Sequence, residues 1–120
     1  MAGQEIKDDN YQIVYDESKQ TITFQGTMRL RTWKDYTPMS ELLQTAYDGV
    51  VENGLVLTLD FRQLRFLNSS GIHALCKFVI EARKEDRTGM RVLGTPDFYW
   101  QQRSLSNLSK LWPKVQVDFG

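Results

Sequence analysis

The chain is poor in the residues that build special chemistry. It holds one cysteine, Cys76, one histidine, His73, and three prolines in 120 residues. A lone cysteine forms no internal disulfide and lacks the companions of a thiolate metal site. Net charge is also missing, because fifteen lysines and arginines balance fifteen aspartates and glutamates. That balance removes any bulk electrostatic case for nucleic acid or an anionic membrane as partner. No apolar run approaches the roughly 20 residues of a membrane span. The opening Met1-Ala-Gly-Gln-Glu-Ile-Lys-Asp-Asp-Asn10 is too polar for a secretory signal. What is present, 41% hydrophobic and 25% charged residues, suits a domain that buries its own core rather than a disordered chain. The expectation is one cytoplasmic domain over residues 11–120, preceded by a flexible segment over residues 1–10.

Two short β-rich runs, Tyr11 to Tyr15 and Thr21 to Phe24, flank the polar Asp16-Glu-Ser-Lys-Gln20 and predict a hairpin ending at Gly26. Tyr11, Ile13 and Tyr15 share one face of the first run, and Ile22 and Phe24 one face of the second. Thr37-Pro38 marks a helix start, and Met39, Leu42, Leu43, Ala46 and Val50 recur at helical spacing up to Asn53-Gly54. Leu55 to Leu59 is apolar on both faces, the pattern of a central strand covered from both sides. A second helix follows, with Ile72, Leu75, Cys76 and Val79 as its expected buried stripe and Thr88-Gly89 as its close. Met90 to Leu93 predicts another strand. Thr95-Pro96-Asp97 starts a third helix to about Leu105, followed by an irregular stretch, and Val115 to Val117 predicts a last strand. The order ββαβαβαβ implies an α/β fold: a mixed, mostly parallel sheet carrying an N-terminal hairpin, with helices packed on it.

The segment from Leu67 to Ile72, Leu-Asn-Ser-Ser-Gly-Ile, carries the most information. It joins the Leu55–Leu59 strand to the second helix. Two hydroxyls and a glycine at such a junction place Ser69 where main-chain N–H groups point outward and favour negative charge. Read from these residues alone, Ser69 is a helix cap or a seat for a phosphate. Gly71 permits either close approach by a partner or a tight junction. His73 is a surface residue near the junction or a general base, and for the second role no orienting carboxylate is evident. Cys76 belongs to the packing. Phe98-Tyr99-Trp100 and Trp112 are expected in the core, whereas an exposed aromatic there would mark a second interface.

Taken in order, the strand pair ending in Gly26, the amphipathic helix, Leu55-Val-Leu-Thr-Leu-Asp60, Phe66-Leu-Asn-Ser-Ser-Gly-Ile72 and the closing Leu105-x-x-Leu108-x-x-Leu111 resemble a STAS domain. This is the fold of bacterial anti-sigma factor antagonists, and the likeness spans about Tyr11 to Val117. In that family the motif reads Asp-Ser-Ser-Gly or Asp-Ser-Thr-Gly, and the first hydroxyl after the acid is phosphorylated. The resemblance therefore implies phosphorylation at Ser69. It implies a docking surface of Asn68, Ser70, Gly71, Ile72 and His73 with parts of the Arg62–Leu67 loop, namely Arg62, Arg65 and Leu67. Arg29 and Arg31 would add to a basic rim.

The implied partners are a histidine-kinase-like serine protein kinase acting as anti-sigma factor and a serine phosphatase, with no cofactor, no metal and no catalytic residue. The departure is Asn68 in place of the acid, which keeps a capping oxygen but removes a charge that a kinase might read. Two alternatives stand beside this reading. One is a STAS scaffold that no longer switches, with Asn68 as its marker; the other is a small hydrolase using Ser69 and His73.

Overall fold

A computed structural model describes residues 4–120. Six strands form one sheet in chain order: β1 (Gln4–Lys7), β2 (Tyr11–Asp16), β3 (Thr21–Met28), β4 (Leu57–Leu67), β5 (Met90–Leu93) and β6 (Val115–Asp118). β1–β2 and β2–β3 pair antiparallel, whereas β3–β4, β4–β5 and β5–β6 pair parallel. The three helices are α1 (Thr37–Glu52), α2 (Ser69–Glu85) and α3 (Tyr99–Leu111). α1 packs on α2 and α2 on α3, so the helices form one layer. The fold is thus a mixed α/β sheet with an N-terminal antiparallel hairpin, as the order of elements predicted.

The sheet is covered on one face only. Ile13, Tyr15, Ile22, Phe24, Met90, Val92 and Val115 point into the core. Their chain neighbours Arg91 and Gln116 are exposed, the in–out alternation of a sheet that meets water on its other side. On that open side Gln25 donates to Gln12 (2.9 Å), and Gln12 to Glu5. The Arg62 guanidinium grips Asp60 through two bonds of 3.0 and 2.9 Å. The expectation that the central strand is covered on both sides is therefore corrected: Leu55 and Val56 are exposed, and the strand begins at Leu57.

β4 also runs far past Leu59. Its pairing with β3 slips twice, between Thr23 and Gln25 and between Gly26 and Thr27. Each slip is a bulge that inserts an extra residue in β4 and resets which face the next side chain takes. Phe61, Leu64 and Leu67 consequently all point inward at a spacing of three. Gly26 sits inside β3, at φ +98°, where a Cβ would lie 2.8 Å from the Tyr11 Cα. The hairpin therefore does not end there.

Carbonyls freed by the bulges are bonded from α3. The buried Gln101 donates from Nε2 to the carbonyls of Phe61 (2.6 Å) and Leu64 (3.0 Å), and its Oε1 accepts the Thr95 N–H (2.8 Å). The Trp100 indole N–H also donates to the Leu64 carbonyl (3.2 Å). This α3 anchor holds the last third of β4, and so the entry to α2, in place.

Other boundaries differ in detail. Gln4–Lys7 form an edge strand instead of a flexible segment, with Lys7 opposite Gln12; residues 1–3 lie outside the described residues. The N-cap of α1 is Tyr36, one residue before the expected threonine. α2 closes at Asp86, in the left-handed region at φ 48°, rather than at Thr88-Gly89. α3 starts at Tyr99 because Thr95 and Asp97 close a polar turn first, and it stays regular to Leu111.

Candidate functional site

The site is the junction where β4 turns into α2, beside the segment linking β3 to α1. Asn68 is the N-cap of α2, and its side chain joins three pieces of chain. Its Oδ1 accepts the Gly71 N–H (3.1 Å) and the Tyr36 hydroxyl (2.7 Å), while its Nδ2 donates to the Leu30 carbonyl (2.7 Å). The Tyr36 oxygen in turn accepts the Leu30 N–H (3.2 Å). Burial pushes the Tyr36 phenol above its ordinary pKa, although the Leu30 bond works against that, so it stays a neutral donor. The Ser70 hydroxyl donates to the Arg31 carbonyl (3.2 Å).

Gly71 is buried against this knot: a Cβ there would collide with Leu67 and lie 2.8 Å from Tyr36 Cζ. The glycine therefore serves the tight junction. Leu67, 1% exposed, is core. Neither can touch a visitor directly, which corrects their expected place in the docking surface.

Ser69 is exposed at the first position of α2. Its hydroxyl has no hydrogen-bond partner among the described residues. Asn68 caps the Gly71 N–H, and the Ile72 N–H closes the first helical bond on the Asn68 carbonyl (3.0 Å). That leaves the Ser69 and Ser70 N–H groups free for an anion at a helix end whose dipole favours one.

His73 and Lys77 follow Ser69 at intervals of four, so the three share one exposed strip of α2. Trp33 lies on that strip. Its ring stacks on His73 with centroids 5.9 Å apart and planes 8° apart, and Lys77 Nζ sits 4.0 Å from the ring centre. Trp33 is carried by a 3-10 turn, Trp33–Tyr36, started by Thr32 and Asp35, which exchange hydrogen bonds. Ile72 is half-buried at the flank.

The expected basic rim is only partly assembled. Arg29 lies over the Phe66 ring (4.8 Å) in the exit from β3. Arg62 is held by Asp60 on the open face of the sheet, and Arg65 lines a polar cleft with Lys7, Asn10 and Gln63. Burial raises the Asp60 pKa, but the Arg62 side-chain and main-chain bonds and its charge lower it further, and the net direction is down. Cys76 is half-buried and its thiol is pushed up by burial, the state of an unreactive packing group. Ala74, Phe78 and Ala82, not Cys76 and Ile72, complete the buried stripe of α2. Tyr99, expected in the core, is 88% exposed at the start of α3, while Trp112 is buried.

The chain is similar in fold to SiaC of Pseudomonas aeruginosa. The two superpose with a TM-score of 0.60 at 18% identity, over 100% of this chain and 97% of that one. No family model matches the sequence. No curated protein matches it either. SiaC thus supports the sheet order and the helix layer, and the chemistry of the junction stands on this chain's own residues. Among the described residues no helix is long and apolar enough to cross a membrane, and no group of three or more His, Cys, Asp and Glu side chains is placed to hold a metal ion.

Trp33 was not among the residues picked out from the sequence. The available signal was a tryptophan amid the polar Arg31-Thr-Trp-Lys-Asp35, where a core role is hard to satisfy. The Ser69, His73, Lys77 interval was a second one.

Proposed function

We propose that this domain is a protein-binding module of a partner-switching pathway, with no catalysis of its own, toggled by phosphate on Ser69. The observation that carries the reading is the Ser69 hydroxyl. It is exposed, unengaged, seated on two free main-chain N–H groups, and set on the same strip as His73, Trp33 and Lys77. A phosphoserine brings about −1.5 to −2 charges, which the helix end tolerates by up to about 1 kcal/mol. A docked partner would instead have to desolvate that charge. Binding is lost with little change in the domain's shape.

The partners of this reading are a histidine-kinase-like serine kinase acting as anti-sigma factor, which binds the bare form, and a serine phosphatase that restores it. Asn68 is compatible with switching. Its amide bond to Leu30 gives the side chain a structural duty that a carboxylate cannot perform, so asparagine here needs no loss of kinase recognition to explain it. The hydrolase reading has less support, because the His73 ring lies flat on Trp33 and accepts or donates no hydrogen bond among the described residues.

The test pairs phosphorylation with binding. Incubation with the cognate kinase and ATP should place phosphate on Ser69 by mass spectrometry. Ser69→Ala should abolish the label, and Ser69→Glu should weaken kinase binding at least about tenfold, or 1.4 kcal/mol. Phosphate on another residue, or wild-type affinity in Ser69→Glu, would refute the proposal.

A further inference from the structure

A groove of about 260 Å³ opens between α1 and α2, with Trp33 among its lining residues. Ala74, Lys77, Phe78 and Glu81 line it from α2, and Thr37, Ser40 and Gln44 from α1. About 150 Å³ of apolar space holds a benzene-sized group, so this volume takes an aliphatic side chain with room for its stem. The surroundings are cationic although the whole chain is neutral. Lys34 and Lys77 lie 5.9 and 4.0 Å from the Trp33 ring centre. Neither they nor Arg29 and Arg31 take part in any ion pair among the described residues. Of the nearby carboxylates, Asp35 accepts from Thr32, and Glu81, at the Lys77 end of the groove lining, forms an exposed pair with Lys84 at 3.3 Å, so the acidic segment would meet the cations at the Trp33 end.

We propose that this groove receives an aliphatic side chain from an acidic segment of the protein partner, whose carboxylates meet Lys34 and Lys77 beside Trp33. The proposal rests on the docking reading above and names the partner's chemistry. It also gives the switch its sign. Ser69, His73 and Lys77 share one strip, so an acidic segment lying along it runs toward Ser69. Phosphate there sets two anionic groups against each other. A concave groove with its tryptophan laid flat on His73 and Lys77 suits a protruding side chain better than a lipid surface, which four scattered cations would hold poorly.

The probe is a phage-displayed library of random 16-residue peptides selected on the immobilised full chain. Enriched peptides are then measured by fluorescence anisotropy against wild type, Trp33→Ala, Lys77→Glu and Ser69→Glu. The expected consensus has acidic residues flanking a leucine or isoleucine. Affinity should fall about tenfold or more in Trp33→Ala and in Lys77→Glu, and added salt should weaken the wild-type complex. Lys77 is exposed, so its substitution reads the groove even if Trp33→Ala disturbs the turn. A basic or uncharged consensus, no enrichment, or retained affinity in both variants overturns the proposal. So does binding to vesicles of phosphatidylserine that the same two variants abolish. If Trp33→Ala and Lys77→Glu act but Ser69→Glu does not, the groove stands and the phosphate switch fails. If Ser69→Glu alone acts on the cognate kinase, the switch stands and the groove fails.

Discussion

Replacing Asn68 by aspartate exchanges one donor for an acceptor at the centre of the junction. The carboxylate would keep the Gly71 N–H and the Tyr36 hydroxyl, and a negative charge on a helix N-cap gains about 0.3–1 kcal/mol. It would lose the Nδ2 bond to the Leu30 carbonyl and set an oxygen against that carbonyl at the present 2.7 Å. A lost bond with an unpaired partner costs about 1–3 kcal/mol. The loss wins, leaving Asn68→Asp about 1–2 kcal/mol less stable than wild type at pH 7.

Protonation reverses the effect, because a carboxylic acid can donate to Leu30 again. The introduced carboxyl is thereby raised above its unfolded value of about 3.9. A group raised in the folded state contributes most below the unfolded pKa and loses that contribution as pH climbs through the folded one. Urea unfolding of both chains at pH 7 and near pH 3 should show the gap closing in acid. A variant equal to wild type at pH 7, or a gap that widens in acid, would mean that the cap and the dipole outweigh the Leu30 bond.

Gln101→Leu should be the harsher change, since it orphans the Phe61 carbonyl and the Thr95 N–H and leaves the Leu64 carbonyl with the Trp100 indole alone; the expected loss is about 3 kcal/mol, with the thermal midpoint down by roughly 10 °C in calorimetry. Gly71→Ala drives a methyl into Leu67 and Tyr36; overpacking of about 1–3 kcal/mol should exceed the gain of about 1 kcal/mol in helix propensity, a net loss readable in urea, and a stabilised variant would refute the close packing. Arg62→Gln strips Asp60 of its counter-ion. Because the Asp60 carboxyl is lowered in the folded wild type, that contribution exists above the unfolded pKa and disappears as pH falls through the folded one. The variant should therefore differ from wild type at pH 7 and converge on it in strong acid, and a pH-independent difference would contradict the pairing.

The alternation of the hairpin, the Thr37-Pro38 start and the Ser-Ser-Gly junction were readable because each depends on local chemistry. β4 was cut short at Leu59 because its bulges impose a spacing of three on Phe61, Leu64 and Leu67, and no strand template has that period. β1 was missed because an edge strand with only Ile6 half-buried carries too little apolar pattern. The stripe of α2 is rotated from the Ile72–Cys76 line to Ala74, Phe78 and Ala82, because the small alanines fit beneath neighbouring elements where hydrophobicity alone favours Ile72. Gln101 left no trace, since a glutamine on a helix is ordinarily solvated and its partners are carbonyls 37 and 40 residues away. At the site, Ser69 was legible from its own segment, whereas Trp33 depends on a contact between distant stretches that only the folded chain creates.

The stitching of residues 28–36 to α2 through Asn68 bears on how the molecule breathes. The Met28 carbonyl, the Leu30 carbonyl, the Tyr36 hydroxyl and the Arg31 carbonyl all end on Asn68 or Ser70. Lifting the tryptophan turn away therefore strips the Asn68 cap of the Leu30 and Tyr36 bonds that orient it, and amide exchange in the two stretches should rise and fall as one cooperative unit. Under the proposed docking role, a visitor would meet a surface already ordered by these bonds, and the ordering entropy that mobile loops surrender on association would have been spent during folding.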